Sequence, residues 1–190
     1  MSHKCLVMFS GGLDSVIACH LLTSQGLEVE ALHFVLPFDA GIGNDHRDIR
    51  RYARSVGVPL RIVEEGEDFL AMLRDPSFGF GRNVNPCVDC RIHRMRKAKK
   101  IMEEAGAAFV ATGEVVGQRP MSQRRDALNA IEKRCGLEGL LLRPLSAKLL
   151  EPTIPEKEGW VDRERLLGIR GRSRKAQLAY AREHGLEHAS

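Results

Sequence analysis

Residues 4–15 read Lys4-Cys5-Leu6-Val7-Met8-Phe9-Ser10-Gly11-Gly12-Leu13-Asp14-Ser15. The short apolar run ends abruptly in a serine and two glycines, the signature of a buried strand entering a tight turn. Beyond the turn, Val16, Ile17, Cys19, Leu21 and Leu22 fall at helical spacing from Asp14 to Ser24, and Gly26 closes the helix. Two glycines let the backbone approach an anion closely and take up positive φ. The first N–H groups of the helix have no partners within it, and the helix dipole adds positive potential, so the turn is built to hold phosphate. Ser10 and Ser15 add hydroxyls, and the Asp14 carboxylate suits a Mg²⁺ that bridges phosphates. Ser and Asp are also common helix caps, so an ordinary helix start fits the same residues. No GxxxxGK[ST] occurs, which excludes a Walker-type loop.

Working outward, Val29 to Leu36 forms a second strand, Asp45 to Val56 a charged amphipathic helix stopped by Gly57, and Leu60 to Val63 a third strand. The order β-α-β-α-β predicts an α/β fold with a doubly wound parallel sheet. Residues 75–86 are rich in Gly, Pro and Asn and read as a loop, followed by a long helix from Cys87 to Glu104. Ala107–Ala111 and Leu140–Leu142 supply further strands. The polar, irregular stretch from Glu151 to Trp160 sets a boundary: residues 1–150 form the nucleotide domain, and 151–190 a basic extension of one or two helices.

The 190 residues, 43% hydrophobic and 28% charged, suit one globular α/β domain. Aromatics are only 5%, so Leu, Val, Ile and Ala must build the core. No apolar run approaches the roughly 20 residues that cross a bilayer. Cys5 to Phe9 is too short for a signal peptide. A cytoplasmic protein without membrane contact is the expectation. An odd number of cysteines and no export signal argue against a disulfide framework and leave thiols for metal or sulfur chemistry. The net charge of +4 comes entirely from the part after residue 80, the candidate surface for a polyanion.

Ser10-Gly11-Gly12-Leu13-Asp14-Ser15 closely resembles SGGxDS, the signature of the PP-loop (N-type ATP pyrophosphatase) superfamily. The resemblance implies an adenine nucleotide alpha hydrolase-like, Rossmann-like sheet. It also implies a loop that cradles the β,γ-pyrophosphate of ATP, and chemistry at the α-phosphate that yields AMP and pyrophosphate. Ser10, Gly11, Gly12, Leu13, Asp14 and Ser15 then become ATP-binding residues, with Asp14 also catalytic through Mg²⁺. Asn85-Pro86-Cys87-Val88-Asp89-Cys90 resembles the NPCxxC segment of bacterial tRNA 2-thiouridylases, in which the cysteine handles sulfur. Thr112-Gly113-Glu114-Val115-Val116-Gly117-Gln118, with Ser122-Gln123, is similar to TGE-x-x-GQ…SQ of tRNA 4-thiouridine synthetases, which places Thr112, Gly113, Glu114 and Gln118 at the nucleotide. Arg143-Pro144-Leu145 resembles their RPL element and brings Arg143 to the same site. The likeness spans about residues 4–148.

The implied activity is ATP-dependent tRNA sulfurtransfer that makes thiouridine, with tRNA and a sulfur donor, a cysteine desulfurase or sulfide, as partners. The 4-thiouridine synthetases carry RNA-binding domains ahead of the PP-loop, whereas only nine residues precede Ser10 here. The expected grip on tRNA therefore comes from this domain, its tail, a second protomer or a separate binding partner.

The chemistry is coherent on its own terms. A uracil carbonyl is a poor electrophile, and ATP converts its oxygen to an adenylate that leaves as AMP when sulfur attacks. Cys87 and Cys90, at a helix N-terminus beside Arg91 and Arg94, are expected to have lowered pKa values. Three readings of the pair stay open: reactive thiols, a zinc site with His93 as third ligand, and a [4Fe–4S] cluster held by Cys87, Cys90 and Cys135. Cys5 and Cys19 read as core, as does His33. Arg91, Arg94, Arg96, Lys97, Lys99 and Lys100 form one candidate RNA surface, with Arg96, Lys99 and Lys100 on one helix face. The tail holds another, from Arg163 and Arg165 through Arg170, Arg172 and Arg174 to Lys175. Phe78 and Phe80 are candidates to stack a flipped base. Arg143 suits either a phosphate or a carboxylate partner. Two other functions fit the loop: a PP-loop enzyme acting on a small-molecule acceptor, and a metal-binding accessory protein that binds nucleotide without turnover.

Overall fold

β1 (Lys4–Met8) lies in the middle of a five-stranded sheet of order β3-β2-β1-β4-β5. Its companions are β2 (Glu28–Val35), β3 (Leu60–Glu64), β4 (Phe109–Thr112) and β5 (Leu141–Leu142), and every pairing is parallel. The computed structural model describes residues 2–37, 46–80, 86–120 and 122–188. Asp45, the expected start of a helix, and Asn85, of the cysteine segment, lie outside the described residues.

Strand alternation builds two apolar layers. Cys5, Val7, Phe109 and Ala111 face a core shared with α1 (Leu13–Thr23), α2 (Arg47–Ser55) and α7 (Lys175–Glu183). Leu6, Leu32, Phe34 and Val110 face the other core, closed by α4 (Cys87–Glu104) and α5 (Arg125–Cys135). The expected doubly wound α/β sheet is therefore present. Two helices beyond those read from the sequence complete it: α5, and α3 (Glu67–Arg74), which buries Phe69. A one-turn α6 (Ile154–Lys157) opens the last part of the chain behind a Thr153/Glu156 capping box.

Residues 151–188 share the first core, because Val161, Leu166 and Ala181 are all buried in it. Backbone bonds tie the segment in further: Leu167 N donates to Pro144 O at 2.9 Å, Ile169 N to Leu145 O at 2.8 Å, and Gly171 N to Val116 O at 2.8 Å. Ser146, fully buried, fastens the two parts: its Oγ accepts from Val116 N at 3.0 Å and donates to Ile169 O at 2.7 Å.

The strand order reverses direction at β1, between β1→β2→β3 and β4→β5. In an open parallel sheet, loops leaving the strand ends diverge at such a point and leave a crevice. The glycine turn after β1 and the Gly113–Gln118 loop after β4 flank that crevice. Replacing Ser146 by alanine removes the partner of the half-buried Val116 N–H and of Ile169 C=O. The expected cost is about 1–3 kcal/mol, read as a lower urea midpoint at unchanged slope.

Candidate functional site

The turn that opens the crevice is held by its own serines. Ser15 Oγ donates to Gly12 O at 2.8 Å and lies 3.3 Å from Ser10 N and 3.4 Å from Ser10 Oγ. Gly11 takes φ +75°, and a Cβ there would meet Ile49 Cδ1 at 2.9 Å, so only glycine fits. Leu13, expected among the loop's ligands, sends its side chain into the core, so only its backbone remains available to a ligand. Asp14 faces the cleft. Its Oδ2 accepts from Gln118 Nε2 at 3.0 Å, and its buried Oδ1 has no hydrogen-bond partner. A buried carboxylate oxygen left open is costly unless a cation or donor completes it, which fits a Mg²⁺ ligand.

The wall opposite comes from the end of β4. A Cβ on Gly113 would lie 2.6 Å from Asp14 C and 2.7 Å from Ser15 N, so the two loops pass backbone against backbone. Thr112 and Glu114 are buried there, with Thr112 Oγ1 donating to Glu114 Oε2 at 3.3 Å. Glu114 also pairs with Arg91 from α4 and accepts from Arg143 Nε at 3.0 Å. Arg143 spends its remaining donors on Glu132, at 2.9 Å, and on Leu128 O. It is buried and does not line the cleft, contrary to the expectation that it meets nucleotide. Its two carboxylate partners explain this: it fixes Glu114 and, through it, the loop.

The third wall is the start of α4. Cys87 and Cys90 are half-buried and line the cleft. The expected lowering of thiol pKa is not found at Cys90. Burial raises it above the ordinary cysteine value and outweighs the opposing pull of Arg94 and Arg91. Cys135 is not brought to the pair's side of the helix. It packs in the second core, its Sγ 3.7 Å from Ile92 O, with its pKa pushed up by burial to about 11. The donor set facing the cleft is thus two thiols. Cys5 and Cys19 are buried in the core, as expected.

His93 turns away from the cysteines toward Glu65 (3.2 Å) and Asp68 (3.7 Å), so it is not placed as a third zinc ligand. Glu65, whose side chain is fully buried, also receives Lys97 Nζ at 2.6 Å and Arg94 Nε at 3.4 Å. Arg94 further lies over the Phe69 ring. The basic run of α4 is therefore largely neutralised within the fold. Lys99 and Lys100 pair with Glu103 and Glu104, and Arg96 Nε donates to Arg134 O. Only Arg91 and Arg94 of that run reach the cleft. Phe78 and Phe80 are exposed, and Phe78 lies beneath Arg134.

Together these walls enclose a cleft of about 920 Å³, within the range of nucleotide-sized sites. Sequence reasoning missed Arg119, exposed on its rim, and misplaced His33. The His33 ring bonds Phe9 O at 2.8 Å but lines the cleft rather than the core. Its position at the C-terminal half of a central parallel strand, where such folds place ligands, was the available signal.

Fold and loop define a PP-loop α/β nucleotide domain. The profile of the family described as "Thiamine biosynthesis protein (ThiI)" matches residues 1–148, and the chain belongs to that family. It is 37% identical over 119 residues to the tRNA-specific 2-thiouridylase MnmA of Syntrophotalea carbinolica, covering 57% of this chain and 33% of that protein. With the MnmA of Xanthobacter autotrophicus it shares 29% identity, covering 97% of this chain and 48% of the other. The chain thus spans about a third to a half of these relatives. Among solved structures it resembles a 4-thiouridine synthetase–RNA complex with bound ATP, at TM-score 0.58 and 30% identity, covering 76% of this chain and 37% of that one. The U34-tRNA thiolase NcsA of Methanococcus maripaludis, solved with its [4Fe–4S] cluster, shares the fold at TM-score 0.52 and 20% identity, covering 99% and 58%.

Glu114→Gln removes the charge between two buried guanidiniums. It is expected to destabilise by about 3 kcal/mol, seen as a fall in thermal midpoint. The raised Cys90 pKa keeps its thiol protonated through the ordinary cysteine range, and thiolate accumulates only as pH climbs beyond it. Iodoacetamide labelling of Cys90, followed by mass spectrometry, should therefore keep accelerating above pH 9.

Proposed function

We propose that the chain is the catalytic domain of an ATP-dependent tRNA sulfurtransferase that makes thiouridine. The observation that carries the reading is that Asp14 of the phosphate loop and the Cys87/Cys90 pair line one cleft. The ATP- and RNA-bound synthetase and the 2-thiouridylases among its relatives support the substrates. The first N–H groups of α1, with Ser10, Gly11, Gly12 and Ser15, hold the β,γ-pyrophosphate, and Asp14 would hold a Mg²⁺ that neutralises phosphate charge. Thr112, Gly113, Glu114 and Gln118 shape the nucleotide wall. The uracil carbonyl oxygen attacks the α-phosphorus and pyrophosphate leaves. Sulfur from a cysteine desulfurase rides on Cys87 as a persulfide, whose outer sulfur adds to the ring carbon while AMP departs with the former carbonyl oxygen. The Cys90 thiolate then attacks the inner sulfur, which breaks the S–S bond, releases thiouridine and leaves a Cys87–Cys90 disulfide for an external thiol to reduce. Sulfide as donor adds to the carbon directly, without a change of oxidation state.

A three-cysteine [4Fe–4S] cluster fits the residues only in part, since Cys87 and Cys90 open to the cleft and Cys135 does not. No step above passes through one. Residues 1–150 constitute the catalytic unit and 151–190 its basic extension.

Incubation with ATP, a cysteine desulfurase with cysteine, a thiol reductant and unmodified tRNA transcripts should yield AMP, pyrophosphate and a thionucleoside detectable by mass spectrometry. Asp14→Asn should lose all three. Cys87→Ser should keep ATP–pyrophosphate exchange and lose thiolation, whereas Cys135→Ser should thiolate normally. Formation of ADP and orthophosphate, or pyrophosphate release driven by a small acid and not by tRNA, overturns the reading. Loss of bound iron together with thiolation in Cys135→Ser places that residue in a cluster.

A further inference from the structure

We propose that Arg119 and the segment Arg170-Gly171-Arg172-Ser173-Arg174-Lys175 form a docking rim for the RNA phosphate backbone at the mouth of the cleft. The inference rests on the tRNA reading above and names the surface that serves it.

The segment is built against the active-site loop. Arg170 forms a parallel bridge with Val116, Gly171 N donates to Val116 O at 2.8 Å, and the buried Ser146 hydroxyl joins Val116 N to Ile169 O. Gly117 and Gly171 pass so closely that a Cβ on Gly117 would lie 3.7 Å from Gly171 N. Gln118, the partner of Asp14, and Arg119, on the cleft rim, are the next residues along. The basic segment is therefore fixed to the strand of loop that carries two cleft residues.

Pairing separates this patch from the other basic clusters. The cations of α4 are held by Glu114, Glu65, Asp68, Glu103 and Glu104, except Arg96, which donates to Arg134 O. In the tail, Arg163 is held by Glu156 and Arg165 donates to Ser24 O. Arg119, Arg170, Arg172, Arg174 and Lys175 are exposed, and among the described residues none has a carboxylate partner. Arg174 caps α7 and Lys175 begins it, with no acid in the first turn. Cations at the positive end of a helix dipole oppose it, an arrangement relieved when an anion binds there. A run of exposed cations without carboxylate partners beside a nucleotide cleft suits phosphates repeating along a polynucleotide. A membrane surface would call for apolar side chains interleaved with the cations, and residues 170–175 contain none.

The test measures binding of an unmodified tRNA transcript to the full chain across a salt series by fluorescence anisotropy. Arg172→Gln/Arg174→Gln/Lys175→Gln should weaken binding at least about tenfold and lower the salt slope by about 2. ATP binding and thermal midpoint should stay unchanged. Lys99→Gln/Lys100→Gln should bind as the parent does. A rim variant that binds tRNA normally, or a loss found only in the α4 variant, overturns the proposal while leaving the tRNA reading intact. A parent chain that binds no tRNA at any salt sinks that reading itself. Preferential capture by phosphatidylserine vesicles assigns the rim to a membrane and also overturns the proposal.

Discussion

Everything at the site depends on one close approach: the backbone of Gly113 running against that of Asp14 and Ser15. A single methyl group there would sit 2.6 Å from Asp14 C, so the approach requires glycine. It exists because β1 and β4 are neighbours whose following segments turn to opposite sides of the sheet. Once the two loops touch, Gln118 reaches Asp14 and Glu114 is held beneath the cleft. The cysteine helix is then drawn in through Arg91. The topology creates the crevice, and the glycine contact fixes its width.

Charge placement follows from the same constraint. Glu114 and Glu65 each sit at or just beyond the C-terminal end of a strand, buried, and each holds α4 by different residues: Arg91 on one side, and His93, Arg94 and Lys97 on the other. A buried carboxylate is tolerable only with such partners. The helix presenting Cys87 and Cys90 is thus clamped across two loops by ionic contacts that leave little positive charge for a ligand. Among the described residues, the segment from Arg170 to Lys175 keeps its cations free of any carboxylate partner.

The parts legible in the sequence were those in which local chemistry and tertiary demand coincide. The turn at residues 10–15 needs glycine at Gly11, where φ is +75°, so its spelling announced the strand, the turn and the helix. The span Cys87–Glu104 was likewise readable from end to end. α5 was not, since its apolar residues Leu128, Ile131 and Cys135 are sparse among charges and follow a glycine- and arginine-rich loop. Arg143 was misassigned because an arginine in a motif says nothing of which anion it meets; that depended on Glu132, eleven residues upstream, folding against it. The packing of the basic extension against the body was hidden for a related reason. Its apolar residues Val161, Leu166 and Ala181 are few and scattered, and the backbone bonds at residues 167–171 that also tie it to the body leave no mark on side-chain composition.

The cysteines show how the same burial serves opposite needs. A helix N-terminus and two arginines favour thiolate, yet at Cys90 desolvation prevails. A protonated thiol resists oxidation at rest, because the thiolate is the species that climbs to sulfenic acid. It is also a weak nucleophile until its proton is removed. Arg94 and Arg91 stand within reach to stabilise the anion, while burial and Glu65 oppose it. At Cys90 the outcome is a balance of burial against those two charges, and burial prevails.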